Sequence, residues 1–158
     1  MEGRRPTRLP RFDYGSPGAY FVTICTHGRR CVLSRISVGE GLCALPTVSL
    51  TKIGTAVEQA VAYINRTYAG VSVEKYVIMP NHVHLLVAIE AQEGGHRGPP
   101  LQQIIGRMKS YTTHQYGGVL WQRSFYDHVI RCERDYLEIW RYIDENPAKW
   151  AEDRFYEG

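Results

Sequence analysis

At 158 residues, with 44% hydrophobic and 22% charged residues, the chain has the size and balance of one ordinary globular domain, 1–158. No apolar run approaches the roughly 20 residues that span a bilayer, and no apolar segment follows the arginine-rich start, so neither a membrane helix nor a secretory signal is expected. Cys25, Cys31, Cys43 and Cys132 form no Cys-x-x-Cys pair and are too sparse for a disulfide framework; reduced thiols in a cytoplasmic protein are the expectation. The net charge of +3 is compatible with a nucleic-acid partner without pointing to one.

Its placement says more than its sum. Residues 1–18 hold Arg4, Arg5, Arg8 and Arg11 around Pro6 and Pro10, and prolines oppose a regular helix, so an extended basic arm is predicted. Guanidinium groups on such an arm suit phosphate and base-edge contacts, although a solvated tail has the same composition. A β-branched and aromatic run over 19–26 predicts the first strand, apolar on both faces. The stretch 31–50 has no clear period, with Gly39 and Gly41 marking a loop. Ile53, Val57, Val61, Ile64 and Tyr68 recur at helical spacing over 51–68, ended by Gly70.

Two further strands are predicted over 71–79 and 82–89, paired antiparallel, then a glycine-rich connector in which His96 is solvated. A second helix over 101–116 turns Leu101, Ile104, Ile105 and Met108 inward, leaving Arg107, Lys109 and Ser110 to water or to phosphates. A fourth strand near 124–130 and a third helix from 133 towards Asn146 complete the chain, with Pro147 breaking that helix. The order βαββαβ is that of a ferredoxin-like sandwich, an α+β fold whose antiparallel sheet carries two helices on one face. On this reading 19–130 is the core and 131–158 a terminal helix with its tail.

The pattern with most chemistry is Met79-Pro80-Asn81-His82-Val83-His84. Residues two apart on a strand share a face, so His82 and His84 stand side by side, opposite Val83, Leu85 and Val87. If the latter face the two helices, the imidazoles face the terminal helix. There Tyr142 and Asn146, four apart, lie one turn above the other. Two imidazoles and an amide oxygen leave room on a divalent ion for water and phosphate, and the phenol is a possible nucleophile. A His-x-His at a core edge and a tyrosine in a core are equally ordinary uses of these residues.

Taken in order, the basic arm with Asp13-Tyr14, the run Gly18-Ala19-Tyr20-Phe21-Val22-Thr23, the Met79–His84 motif, Trp121-Gln122 to His128, and Tyr142 to Pro147 resemble one family across nearly the whole chain. It is the single-tyrosine transposases of the His-hydrophobic-His (HUH) nuclease superfamily, of the insertion-sequence type, and within it the REP-associated tyrosine transposases. The resemblance implies cleavage and strand transfer on single-stranded DNA, in transposition or the processing of hairpin-forming palindromic elements, through a 5′-phosphotyrosine intermediate and a divalent cofactor, Mg²⁺ or Mn²⁺. It implies His82, His84 and Asn146 as metal ligands, Tyr142 as nucleophile, and the arginine arm as a reader of DNA. Many members have glutamine where this chain has Asn146, a longer amide that reaches its metal from elsewhere on the helix.

Tyr136 and Tyr111 are rival nucleophiles, and His128 is a further DNA-contacting candidate for which a buried structural role is the simpler expectation. A non-catalytic single-strand-binding module, and a metallohydrolase using water, are the competing functional readings. Monomer and homodimer are both open.

Overall fold

The computed structural model describes residues 18–38, 45–90, 100–153 and 155–156. Among these, strands β1 (Gly18–Cys25), β2 (Ser34–Val38) and β3 (Pro46–Leu50) precede helix α1 (Lys52–Thr67). Strands β4 (Val71–Ile78) and β5 (His82–Ile89), helix α2 (Leu101–Tyr116), strand β6 (Tyr126–Ile130) and helix α3 (Glu133–Glu145) follow. A 3-10 segment, Pro147–Glu152, closes the chain's regular structure.

The main sheet has the order β4-β5-β1-β6 with every neighbour antiparallel. Setting aside the β2–β3 hairpin, this is the ferredoxin-like arrangement, as the order of elements predicts. The hairpin is the addition. Its strands are short and carry polar residues among a few apolar ones, so no period marks them in the sequence. Residues 39–44 lie outside the described residues, and with them the expected loop glycines.

Alternation decides what each face of the sheet does. Val83, Leu85, Val87 and Ile89 of β5 and Tyr20, Val22 and Ile24 of β1 pack with Val57, Val61 and Ile64 of α1 and Ile104, Ile105 and Met108 of α2 in one buried core. Burying each large side chain in it is worth about 1.5–3 kcal/mol. Helix α1 begins at Thr51, whose hydroxyl accepts from Gly54 N at 3.1 Å. At Gly54 the chain is too close for a side chain, since a Cβ there would stand 2.0 Å from the Leu33 carbonyl oxygen.

The other face is covered by α3. Leu86, fully buried, packs against Ile139 and Ile143, with Phe21, Val77, Ile130 and Tyr136 around them. A bulge in β4 between Val73 and Lys75 sets Glu74 outside the regular ladder. Lys75 meets Asp144 of α3 at 2.9 Å, an exposed pair that orients more than it stabilises. His82 and His84 therefore lie under the α3 side of the sheet, as alternation predicts. No described helix is long and apolar enough to cross a membrane.

Candidate active site

The turn between β4 and β5 is built around Asn81, which is 1% exposed. Its backbone carbonyl accepts from Thr26 N at 2.9 Å, locking the turn to the end of β1. Its side-chain amide donates to the carbonyls of Phe155 (2.6 Å) and Arg29 (3.3 Å). With the NH₂ committed to two acceptors, the amide oxygen is what faces His82 Nδ1, at 2.8 Å. That nitrogen must then carry a proton, and in the neutral ring Nε2 is the lone pair. The long-range contacts of Asn81 thus set the tautomer of the neutral His82 ring.

His84 is held by the neighbouring strand. Thr23 lies directly across the β1–β5 ladder, and its hydroxyl is 2.8 Å from His84 Nδ1. Both imidazoles are at most 1% exposed, their ring centroids 4.6 Å apart, and each is fixed through Nδ1.

Helix α3 brings the other two predicted residues. The Tyr142 ring lies 5.3 Å from the His84 ring and edge-on to Phe21 at 5.9 Å, while Phe21 stacks on His84 at 5.1 Å. Tyr142 is 44% exposed, so the phenol borders solvent where the imidazoles do not. Asn146 keeps a helical backbone although Pro147 follows it, so its side chain stays on the Tyr142 side of the helix. Its Oδ1 is buried without a hydrogen-bond partner among the described residues. A buried carbonyl oxygen left so costs about 1–3 kcal/mol and suits a cation.

Two imidazole nitrogens and one amide oxygen form a mixed donor set that fits a divalent metal ion. No three histidine, cysteine or carboxylate side chains converge on one point among the described residues, so any such site is mixed in composition. Three residues near the histidines have no signal in the sequence. Phe155 lies 4.5 Å and Trp150 6.1 Å from the His82 ring, centroid to centroid, and Asp153 Oδ2 is 3.7 Å from His82 Nε2. All three belong to the 3-10 segment and the turn after it, which has no period to read.

The remaining candidates fall elsewhere. The Tyr136 hydroxyl donates to Glu74, and burial together with that carboxylate pushes its pKa up to about 12, the reverse of an activated nucleophile. Tyr111 and Arg107 sit on α2, across the sheet from the histidines, lining with α1 a cleft of about 740 Å³. Arg107 donates to the Tyr68 hydroxyl at 3.1 Å, and the Lys109 ammonium donates to the Gln122 and Arg123 carbonyls. Arg4, Arg5, Arg8 and Arg11 lie outside the described residues. His128 is not buried: it stands on the edge strand β6, its side chain 57% exposed, its Nε2 2.8 Å from Asp135 of α3.

No family model matches the chain. An uncharacterized protein of Haemophilus influenzae is 31% identical to it, over 97% of this chain and 93% of that one. The chain belongs to that protein's family. Among solved structures, one of a REP-associated tyrosine transposase bound to a REP hairpin superposes with a TM-score of 0.66 and 23% identity, covering 90% of this chain and 73% of that one. A second, of a protein from Deinococcus radiodurans R1 assigned as a transposase, gives 0.50 and 16%, covering 92% and 96%. This family member has the fold of the REP-associated tyrosine transposase, and the resemblance read in its sequence holds at that level.

Proposed function

We propose that the chain is a DNA strand transferase of the transposase kind, cutting and rejoining single-stranded DNA through Tyr142 beside a divalent ion. The observation that carries this reading is the approach of a half-exposed phenol to within 5.3 Å of a buried imidazole, ring to ring, on the face where a second imidazole also lies. The shared fold supports it, since a solved protein of that fold is a tyrosine transposase holding a REP hairpin.

His82 and His84 through Nε2, and Asn146 through Oδ1, would hold Mg²⁺ or Mn²⁺. Such an ion, when bound, offsets charge developing on the scissile phosphate. The chain's own groups do the rest. Asn81 and Thr23 engage Nδ1 of the two rings and so fix both ring orientations before an ion arrives. Phe21 packs against both His84 and Tyr142, which also touch each other, and so steadies the phenol beside the imidazole.

The Tyr142 oxygen attacks phosphorus in line; its bond to phosphorus forms as the bond to the 3′ oxygen breaks. The phenol loses its proton, the leaving 3′ oxygen gains one, and the product is a 5′-phosphotyrosine with a free 3′-hydroxyl. One phosphoester replaces another, so a 3′-hydroxyl can run the step backwards and join new ends without ATP. A single strand next to a hairpin can bend its backbone to the phenol where a duplex cannot, and the arginine arm is the proposed reader of its bases.

Incubating the protein with end-labelled hairpin DNA and Mn²⁺ should give an adduct that survives denaturant. Tyr142→Phe should abolish it and Tyr136→Phe should keep it. Wild-type protein that shifts the DNA in a gel yet never forms the adduct would establish a binding module instead.

A further inference from the structure

The chemistry proposed above uses only the α3 side of the sheet. On the other side α1 and α2 flank the cleft of about 740 Å³, a size within the roughly 300–1,000 Å³ of small-ligand sites. We infer that this cleft is a second binding site for single-stranded DNA, taking an unpaired base against its tyrosine rings and the adjoining phosphates on Arg66 and Arg107. The inference rests on the reading that this chain handles single-stranded DNA, and needs neither a metal ion nor Tyr142.

The cleft is apolar at its floor and aromatic and cationic at its rim. Ala60, Ile64, Ile104 and Met108 are buried and make the floor. Tyr63 on α1 and Tyr111 on α2 line the rim at 49% and 44% exposed, so much of each ring still faces water. Each has an arginine three or four positions away on its own helix, which brings ring and cation onto one face. The Arg66 guanidinium carbon lies 5.9 Å from the Tyr63 ring centroid. That of Arg107 lies 6.0 Å from the Tyr68 ring, whose hydroxyl accepts from Arg107 at 3.1 Å. A guanidinium has five N–H donors, so Arg107, steadied by Tyr68, still has donors to turn to a phosphate. No aspartate or glutamate lines the cleft among the described residues.

Charge therefore selects an anion, and the rings over an apolar floor select one with a flat face. An unpaired nucleotide is both, and stacking on aromatic rings beside arginines holds single strands without reading their sequence. A duplex keeps its base faces in its own stack and offers the cleft only phosphates. An acidic peptide offers charge without the flat face.

The test is fluorescence anisotropy of the full chain in EDTA, with a labelled oligothymidylate of about ten residues and an abasic strand of equal length and charge. The thymine strand should bind at least about fivefold tighter than the abasic one. Tyr63→Ala should remove most of that difference and Tyr63→Phe should keep it. Replacing Arg66 and Arg107 by alanine should weaken both strands and flatten the salt dependence by roughly 0.7 per guanidinium removed. Thermal melts verify that each variant folds. A strand carrying 5-iodouracil reads the placement without any variant: light should join it to Tyr63 or Tyr111, located by peptide mass spectrometry. Crosslinks confined to the α3 side, or Tyr63→Ala protein that keeps the wild-type preference for thymine, overturn the inference and leave strand transfer by Tyr142 standing. Equal affinity for the thymine and abasic strands, or displacement of the strand by polyglutamate of equal charge, overturns it in favour of an acidic partner. Wild-type protein that binds neither strand overturns it together with the DNA reading, whereas a missing Tyr142 adduct alone leaves the cleft untouched.

Discussion

Asn81→Ala should be among the most damaging single changes in the chain. Its side chain makes two buried hydrogen bonds, from His82 Nδ1 and to the Phe155 carbonyl, and a longer, part-buried one to the Arg29 carbonyl. Truncation strands the two buried groups, at about 1–3 kcal/mol each, and water entering the gap returns part of that. The expected loss is about 2–4 kcal/mol, a large share of the 5–15 kcal/mol typical of a domain. Urea unfolding followed by circular dichroism reads it as a lower midpoint at constant slope. Asn81→Asp should be worse than alanine, because a carboxylate still accepts from His82 but turns negative charge on two carbonyl oxygens. An Asn81→Ala loss below about 1 kcal/mol, or an Asn81→Asp protein as stable as wild type, would refute the assignment of the network and of the His82 tautomer with it.

Tyr136 gives a pH signature. Its folded pKa of about 12 lies above the ordinary 10, so the stabilisation from keeping it protonated is whole below pH 10 and is lost as pH rises from 10 through 12. Wild type should accordingly lose stability more steeply than Tyr136→Phe across that window, and parallel curves of urea midpoint against pH would contradict it. Gly54→Ala drives a methyl group into the Leu33 carbonyl, so it should lower stability by about 1–3 kcal/mol or more in thermal melts; an unchanged melting temperature would mean that the helix is not seated there.

The sheet and its two large helices were legible because each has an unambiguous period. Ile53, Val57, Val61 and Ile64 can bury together only on a helix, and Val83, Leu85 and Val87 only on one side of a strand. The same alternation puts His82 and His84 opposite the main core from the sequence alone. What stayed hidden depended on single contacts. Asn81 reads as a turn residue beside proline, and nothing local says that its amide reaches Arg29 and Phe155, the second of them 74 positions away. Asp153 lies in a turn whose position is decided by that same contact. The β2–β3 hairpin is too short and too exposed to carry a pattern. His128 escaped the buried role expected of it because β6 is an edge strand, where a side chain can reach past the sheet to Asp135.

Helix α3 rests on the sheet through a patch far smaller than the core on the opposite side: Leu86, Ile139 and Ile143 with a few half-buried neighbours. Besides that patch it is tied by polar contacts, Lys75 with Asp144, Glu74 with Tyr136 and His128 with Asp135, so its local opening should cost less than global unfolding. Because Tyr142 and Asn146 ride on one rod, lifting it would withdraw phenol and amide together. On the proposed chemistry, readiness to cut would then be governed by a single docking equilibrium, with no half-assembled state in which the phenol is exposed to DNA but its neighbour is misplaced.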